Sequence, residues 1–248
     1  MKTQLNSYKE KGWGLIGNVD PPDPRLVSKV KELYAQGKNS DFFYSLLSLS
    51  TESTIGLSAE VCDFFKKRLS EVLPGYKFVV GSFLVKPRFT FSDLYLHQDW
   101  SYTDEDKFTP ITCWMPLIET NQNSGGLVVV EGSHLKPSNP RSNSLPTFRI
   151  PFSAIQDEEK LVSVETELYD ILLFHPKAWH GSYSNPSDLD RIAITCIALP
   201  VDAPFLYYHQ TFDSLIEYEV PEMGFELHLK ELVQNKIPQT FKSFNTNV

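Results

Sequence analysis

Residues 170–191 read DILLFHPKAWHGSYSNPSDLDR, and from Arg191 the chain continues as RIAITCIAL to 199. Two short apolar runs, 170–174 and 191–199, are rich in Ile, Leu and Thr. Pro, Gly, Asn, Asp and Ser bound them, which is how strands joined by turns are written. Between the runs, a tight connection leads into His180-Gly181-Ser182. The same punctuation frames 77–86 (KFVVGSFLVK), 111–118 (ITCWMPLI), 127–131 (LVVVE) and 161–165. So many short, evenly punctuated strands predict a sandwich or barrel.

Upstream of these runs the period changes from two to about 3.6. Over 25–37, Leu26, Val30 and Leu33 recur at i, i+4, i+7 with Val27 and Tyr34 beside them, and Gly37 ends the segment. Over 58–73, Ser58, Glu60 and Val61 open a helix that carries Phe64, Phe65, Leu69, Val72 and Leu73 and stops at Pro74–Gly75. Two helices followed by many strands predict one α+β domain over 1–248. Its β core spans about 77–200, its helices lie outside within about 25–73, and a C-terminal extension covers 201–248. Segment 135–160 is long, polar and proline-bearing, the composition of a lid or mobile insertion. The tail from 236 is polar and is expected to be loosely held.

Composition narrows the class. Of 248 residues, 41% are hydrophobic and 13% aromatic, enough for a substantial core. The net charge is −8, from 23 Lys and Arg against 31 Asp and Glu, with no basic run, which disfavours a nucleic-acid partner. No run of about 18 apolar residues exists to span a membrane. Met1–Gly14 is polar, without a stretch of signal-peptide length. Cys62, Cys113 and Cys196 are odd in number and widely spaced, fitting free thiols in a reducing compartment; a cytoplasmic location is the expectation.

Residues 94–102 read LYLHQDWSY. In a strand, positions i and i+2 share a face, so His97 and Asp99 can grip one ion. His-x-Asp alone is common by chance; His180 supplies what it lacks. Two histidines and a carboxylate on one face of an Fe(II) ion leave three positions open. A 2-oxo acid such as 2-oxoglutarate fills two and O₂ the third. The far carboxylate of 2-oxoglutarate then needs a cation. Arg191, opening the next strand, offers a planar two-point partner, and Ser182 a hydroxyl.

With those residues in place, the chain resembles the phytanoyl-CoA dioxygenase family of 2-oxoglutarate oxygenases over residues 77–200. The matching stretches are Leu-His-Gln-Asp at 96–99, Trp-x-Pro-Leu at 114–117, Ser-Gly-Gly-Leu-Val-Val-Val-Glu-Gly-Ser-His at 124–134, and His-Gly-Ser through Arg191. The resemblance implies a double-stranded β-helix, or jelly roll, of the cupin type. It implies His97, Asp99 and His180 as iron ligands, Arg191 and Ser182 as contacts of 2-oxoglutarate, and Trp114 beside the co-substrate. Two features depart from the family pattern: Tyr169-Asp170 stands where Gly-Asp is usual, and Ile192-Ala193 after Arg191 excludes an Arg-x-Ser pair.

Other aromatic and imidazole residues have plainer readings. His175 ends a strand before Pro176 and lacks the His-Gly-Ser context. His134 is expected to bond backbone at a turn, and His209 and His228 have no companion ligands. Trp179 reads as core, whereas Trp100 and Tyr102, just past Asp99, are candidates to face a substrate. The function expected is hydroxylation of a small molecule, such as an amino acid, a lipid or a natural-product intermediate, with release of succinate and CO₂. Asp99 argues against halogenation, because halogenases of this type lack the carboxylate ligand. Desaturation, epimerisation and cyclisation share the same ligands. A non-redox cupin-like metalloenzyme would have no need of Arg191, and the presence of all three ligands with the arginine argues against a binding module that has lost catalysis.

Overall fold

The computed structural model describes residues 2–17, 19–37, 42–156, 160–221, 231–232, 236–238 and 241–246. Thirteen strands are described: β1 (Trp13–Ile16), β2 (Phe43–Tyr44), β3 (Tyr76–Lys86), β4 (Leu94–His97), β5 (Ile111–Pro116), β6 (Leu127–Val130), β7 (Leu161–Val164), β8 (Ile171–Phe174), β9 (His180–Ser182), β10 (Arg191–Pro200), β11 (Leu206–Gln210), β12 (Leu215–Glu219) and β13 (Lys242–Thr246). Helices α1 (Lys2–Lys11), α2 (Pro24–Gly37), α3 (Ser45–Ser48) and α4 (Thr51–Leu69) precede or interrupt the early strands. A six-stranded sheet in the order β1-β8-β5-β10-β3-β2 faces a four-stranded one ordered β4-β9-β6-β7, and every pairing is antiparallel. These facing sheets are the sandwich that the strand pattern predicts, in the jelly-roll form that the family resemblance implies. The extension carries a third sheet, β11-β12-β13.

Alternation along the large sheet assigns its two faces. On β10, Ile192, Ile194, Cys196 and Ala198 join Val61, Phe64, Phe65 and Leu69 of α4 in one outer core. Ala193, with Trp114 of β5 and Leu172 of β8, meets Leu127, Val129 and Val164 of the small sheet in an inner core. Both faces are covered, so β10 reads as a continuous apolar run rather than an alternating one. Arg191 has the same parity as Ala193 and therefore opens β10 pointing inward.

Several boundaries differ from expectation. α4 begins at Thr51, not Ser58, because Ser50 caps it by accepting the Ser53 N–H. It ends at Leu69, and Val72 and Leu73 are buried in the turns beyond. The polar N-terminal segment forms α1 and then β1, which pairs with β8 at the sheet edge. Part of the tail beyond 236 is not loose: β13 pairs with β12 in continuous register. Tyr169 adopts the left-handed conformation (φ 69) that a glycine at this turn takes freely, so the departure from Gly-Asp leaves the turn intact. Segment 135–160 is anchored where described, through the Leu96–Ile150 bridge and the bond from Ser101 N to Arg141 O.

Candidate metal centre

The two strands β4 and β9 are neighbours, and their register sets His97 directly opposite His180. The imidazole centroids are 4.5 Å apart, and ligand atoms of His97, Asp99 and His180 all lie within 4.8 Å of one another. His180 therefore sits on the adjacent strand, and Asp99 lies beyond the end of β4. Strand alternation does not hold Asp99; three other contacts do. Its N–H donates to Pro176 O (3.0 Å), its carbonyl accepts from Arg141 Nε (2.6 Å), and its Oδ2 accepts from Thr112 Oγ1 (3.0 Å).

The hydrogen bonds orient all three donors toward one point. His97 Nδ1 meets Tyr95 O at 2.9 Å and His180 Nδ1 meets Ala178 O at 2.9 Å. A carbonyl only accepts, so each Nδ1 carries the proton and each Nε2 keeps its lone pair for a metal. Thr112 occupies Asp99 Oδ2, while Oδ1 lies 3.5 Å from His180 Nε2. Burial, the nearby His180 and the positive charge of Arg149 hold His97 neutral down to about 4. Burial opposes the charge on Asp99, but His180 outweighs it and lowers that carboxyl to about 2. Gly181 is required by space: a Cβ there would lie 2.4 Å from Leu94 O on the paired strand.

Deeper in the same cavity, Arg191 is 1% exposed, and its Nε and Nη1 have no hydrogen-bond partner among the described residues. Its guanidinium carbon sits 5.7 Å from the Trp114 ring centroid, and Trp114 Nε1 is also buried and unpaired. Burial lowers Arg191 to about 10, so it stays charged at neutral pH. Burying a cation with free donors is costly unless an anion joins it. Asp188 and Asp190 do not supply that anion; Asp190 Oδ1 accepts instead from Arg88 N at 2.9 Å. Lys86 of β3 pairs in register with Arg191 and reaches across to the small sheet, donating to Ser182 O and Ser182 Oγ (both 3.2 Å) and to Tyr183 O. Burial first, then Arg191, lowers Lys86 to about 7.

The donor set fits a divalent iron with open positions, and the unpaired donors of Arg191 and Trp114 fit a ligand bearing oxyanions. The cavity measures about 500 Å³ and is lined by His97, Asp99, His180, Ser182, Trp114, Arg191, Trp100 and Tyr102. Other histidines stay out of it. His175 Nδ1 accepts from Lys177 N, His134 Nε2 bonds Lys9 O, and His209 lies half-buried on β11. His228 falls outside the described residues. Trp179 packs against an apolar cluster with Leu96 and Val128. Sequence reasoning missed Lys86, Arg141 and Arg149. None of them is singled out by a local pattern; Lys86 merely closes the run KFVVGSFLVK, which also opens on a lysine.

Comparison with known proteins agrees with this geometry. Peroxisomal phytanoyl-CoA dioxygenase of Bos taurus is 32% identical over 136 residues, which are 52% of this chain and 40% of that protein. The 1-deoxypentalenic acid 11-beta-hydroxylase of Streptomyces arenae is 36% identical over 101 residues, 37% of this chain and 35% of that enzyme. The aligned segments thus span well under half of either relative. In fold, the chain resembles the non-heme alpha-ketoglutarate-dependent carbocyclase SnoK from nogalamycin biosynthesis. That likeness has a TM-score of 0.62 at 17% identity, covering 86% of this chain and 88% of that one. The family model for phytanoyl-CoA dioxygenase matches residues 27–193, well over half of the sequence, and the chain belongs to that family.

Proposed function

We propose that this protein is an Fe(II)- and 2-oxoglutarate-dependent dioxygenase that hydroxylates a small molecule. The observation that carries this reading is the pairing of two features in one cavity. One is a two-histidine, one-carboxylate set with each histidine Nδ1 turned to a backbone carbonyl; the other is a buried arginine whose Nε and Nη1 lack a hydrogen-bond partner. His97, Asp99 and His180 would hold the iron, which supplies the redox centre at which O₂ is activated. Overall, O₂, 2-oxoglutarate and a C–H bond give succinate, CO₂ and an alcohol, one oxygen atom entering succinate and the other the product.

The remaining work falls to the chain's own residues. Arg191 would bind the distal carboxylate of 2-oxoglutarate through two parallel N–H donors, with Lys86 a second cation behind Ser182 and Trp114 walling the site. Thr112 and Arg141 keep Asp99 from turning away. Tyr44, Val80, Trp100, Tyr102 and Ile197 exclude water from the space where the substrate's C–H bond must lie. The relatives matched in sequence are named as a dioxygenase and a hydroxylase, which supports this outcome.

Two measurements test the assignment: anaerobic Fe(II) binding, and succinate release in air. His97→Ala, Asp99→Ala and His180→Ala should each lose most iron binding and all succinate release. Iron binding that survives His180→Ala but is lost in His175→Ala would overturn the ligand assignment.

A further inference from the structure

Arg149 lies in the segment that the sequence reading treats as a lid, and the structure puts it to a definite place. Leu96 and Ile150 exchange both backbone hydrogen bonds at 2.9 Å, an antiparallel pair. Extending that bridge by one residue would set Arg149 across from His97, and the charge of Arg149 acts on the His97 imidazole. Residues opposite each other on antiparallel strands project to the same face, their Cβ atoms about 4.5–5.5 Å apart. His97 faces the cavity, and Arg149 lines it too.

Three further observations give this cation a purpose. First, Arg149 is a solvent-exposed side chain that lines the cavity and has no hydrogen bond or ion pair among the described residues, so its guanidinium is free to meet a ligand, whereas Arg141, eight residues earlier, is held by both oxygens of Glu105 at 2.7 Å. Second, Asp99 is the only carboxylate among the described residues lining the cavity, and it is engaged at the metal centre. Third, much of the remaining lining is apolar or aromatic, with Phe42, Tyr44, Leu47, Val80, Trp100 and Ile197, and the polar residues beside them, such as Gln98, Asn143 and Thr147, are uncharged. A charge count over the loaded site makes the point quantitative. Fe(II), Asp99, doubly charged 2-oxoglutarate and Arg191 sum to zero. Arg149 then stands as an uncompensated positive charge beside the reacting space, and a protonated Lys86 adds to it. This occurs in a protein whose net charge is −8.

We infer that Arg149 anchors the primary substrate, and that this substrate is a mostly apolar molecule carrying one oxyanion group, a carboxylate or a phosphate ester. The inference rests on the oxygenase reading of the site. Arg149 is a specificity-determining residue in this view: it fixes the anionic end next to His97 and so decides which part of the apolar body lies over the metal.

The test uses the protein loaded with Fe(II) and saturating 2-oxoglutarate under anaerobic conditions, with ligand binding followed by Trp fluorescence and calorimetry. The probes are decanoate, 3-phenylpropanoate and 1-adamantaneacetate, each beside its primary amide, together with decyl phosphate and decyltrimethylammonium. At least one acid should bind about ten-fold or more tightly than its amide, as a charge-assisted hydrogen bond of an arginine implies. Comparing decanoate with decyl phosphate then identifies the preferred oxyanion. Arg149→Gln should abolish the preference, Arg149→Lys should restore part of it, and Arg149→Glu should shift it toward decyltrimethylammonium. If no acid outbinds its amide, or if Arg149→Gln keeps the wild-type preference, the inference is overturned. Iron and 2-oxoglutarate titrations of the same samples separate the two levels. Failure to bind iron or 2-oxoglutarate would overturn the oxygenase reading and this inference with it; normal uptake with no acid preference would overturn this inference alone.

Discussion

At the scale of single residues, the site is built from groups that are costly to fold and useful only when a ligand arrives. Arg191 is fully buried with donors unpaired, and burial alone lowers its pKa to about 10. A depressed cation destabilises the folded state wherever it is protonated, here by roughly 3 kcal/mol at neutral pH. Arg191→Met should therefore raise the thermal stability of the metal-free protein while it weakens 2-oxoglutarate binding. A variant that loses stability would mean that Arg191 has a structural partner. Lys86 offers a pH signature. Its pKa is lowered to about 7, by burial and then by Arg191, so it loses its proton as pH rises through that value. Binding of a dianion favours the protonated form. The 2-oxoglutarate dissociation constant should thus increase above about pH 7, by up to about ten-fold per unit, and a flat profile from about pH 6 to 9 would contradict the role. Of these residues His97, Asp99, His180 and Arg191 were legible in the sequence as candidates, because His-x-Asp and His-Gly-Ser-to-Arg are local patterns. Lys86 and Arg149 were not, because their roles come from pairing with residues about 100 and 50 positions away. Asp99 was named for an incomplete reason: the i, i+2 rule brings it near His97, but its orientation comes from Thr112, Pro176 and Arg141.

At the scale of elements, close approach of backbones decides where the helices dock. Gly81 of β3 donates its N–H to Ser58 Oγ at 2.9 Å, and a Cβ there would lie 2.4 Å from Ser58 O of α4. Gly81→Ala should push α4 off the sheet and destabilise the fold by about 1–3 kcal/mol in urea unfolding. A change below about 0.5 kcal/mol would show that the helix does not press on the strand. A second element-level contact links the cavity wall to the iron site. Arg141 holds Asp99 O and both oxygens of Glu105, and its own N–H and carbonyl bond Ser101. Arg141→Met leaves Glu105 without its cation, so the expected result is weaker Fe(II) binding together with a loss of about 3–5 kcal/mol of stability. Wild-type iron affinity in a folded Arg141→Met protein would remove the positioning role. The strands of the β core and the stripe of α2 were readable from apolar period and turn residues. β1 and the third sheet were not. β1 is four residues long with only Leu15 and Ile16 as aliphatics, and the sheet at the C-terminus pairs strands across a long connection.

At the scale of the whole molecule, the two sheets bury an apolar core at one end and leave a cavity of about 500 Å³ at the other. The small sheet supplies the two histidines and Ser182, and the large sheet supplies Trp114, Arg191 and Lys86. A 2-oxoglutarate bound between the iron and Arg191 would thus touch both halves of the jelly roll. By mass action its binding should stabilise the fold by about 2.7 kcal/mol at a hundred-fold excess over its dissociation constant, and more in the presence of iron than in its absence. Among the described residues no helix is long and apolar enough to cross a membrane. The central claim is that one cavity holds iron through His97, Asp99 and His180 and holds 2-oxoglutarate through Arg191. Its most direct measurement is an anaerobic 2-oxoglutarate titration of the Fe(II)-loaded wild type and Arg191→Ala. Removing one partner of a buried ion pair costs about 3–5 kcal/mol, so the dissociation constant should rise roughly a hundred- to several-thousand-fold while Fe(II) binding stays near wild type. A superimposable 2-oxoglutarate curve for Arg191→Ala would contradict the claim.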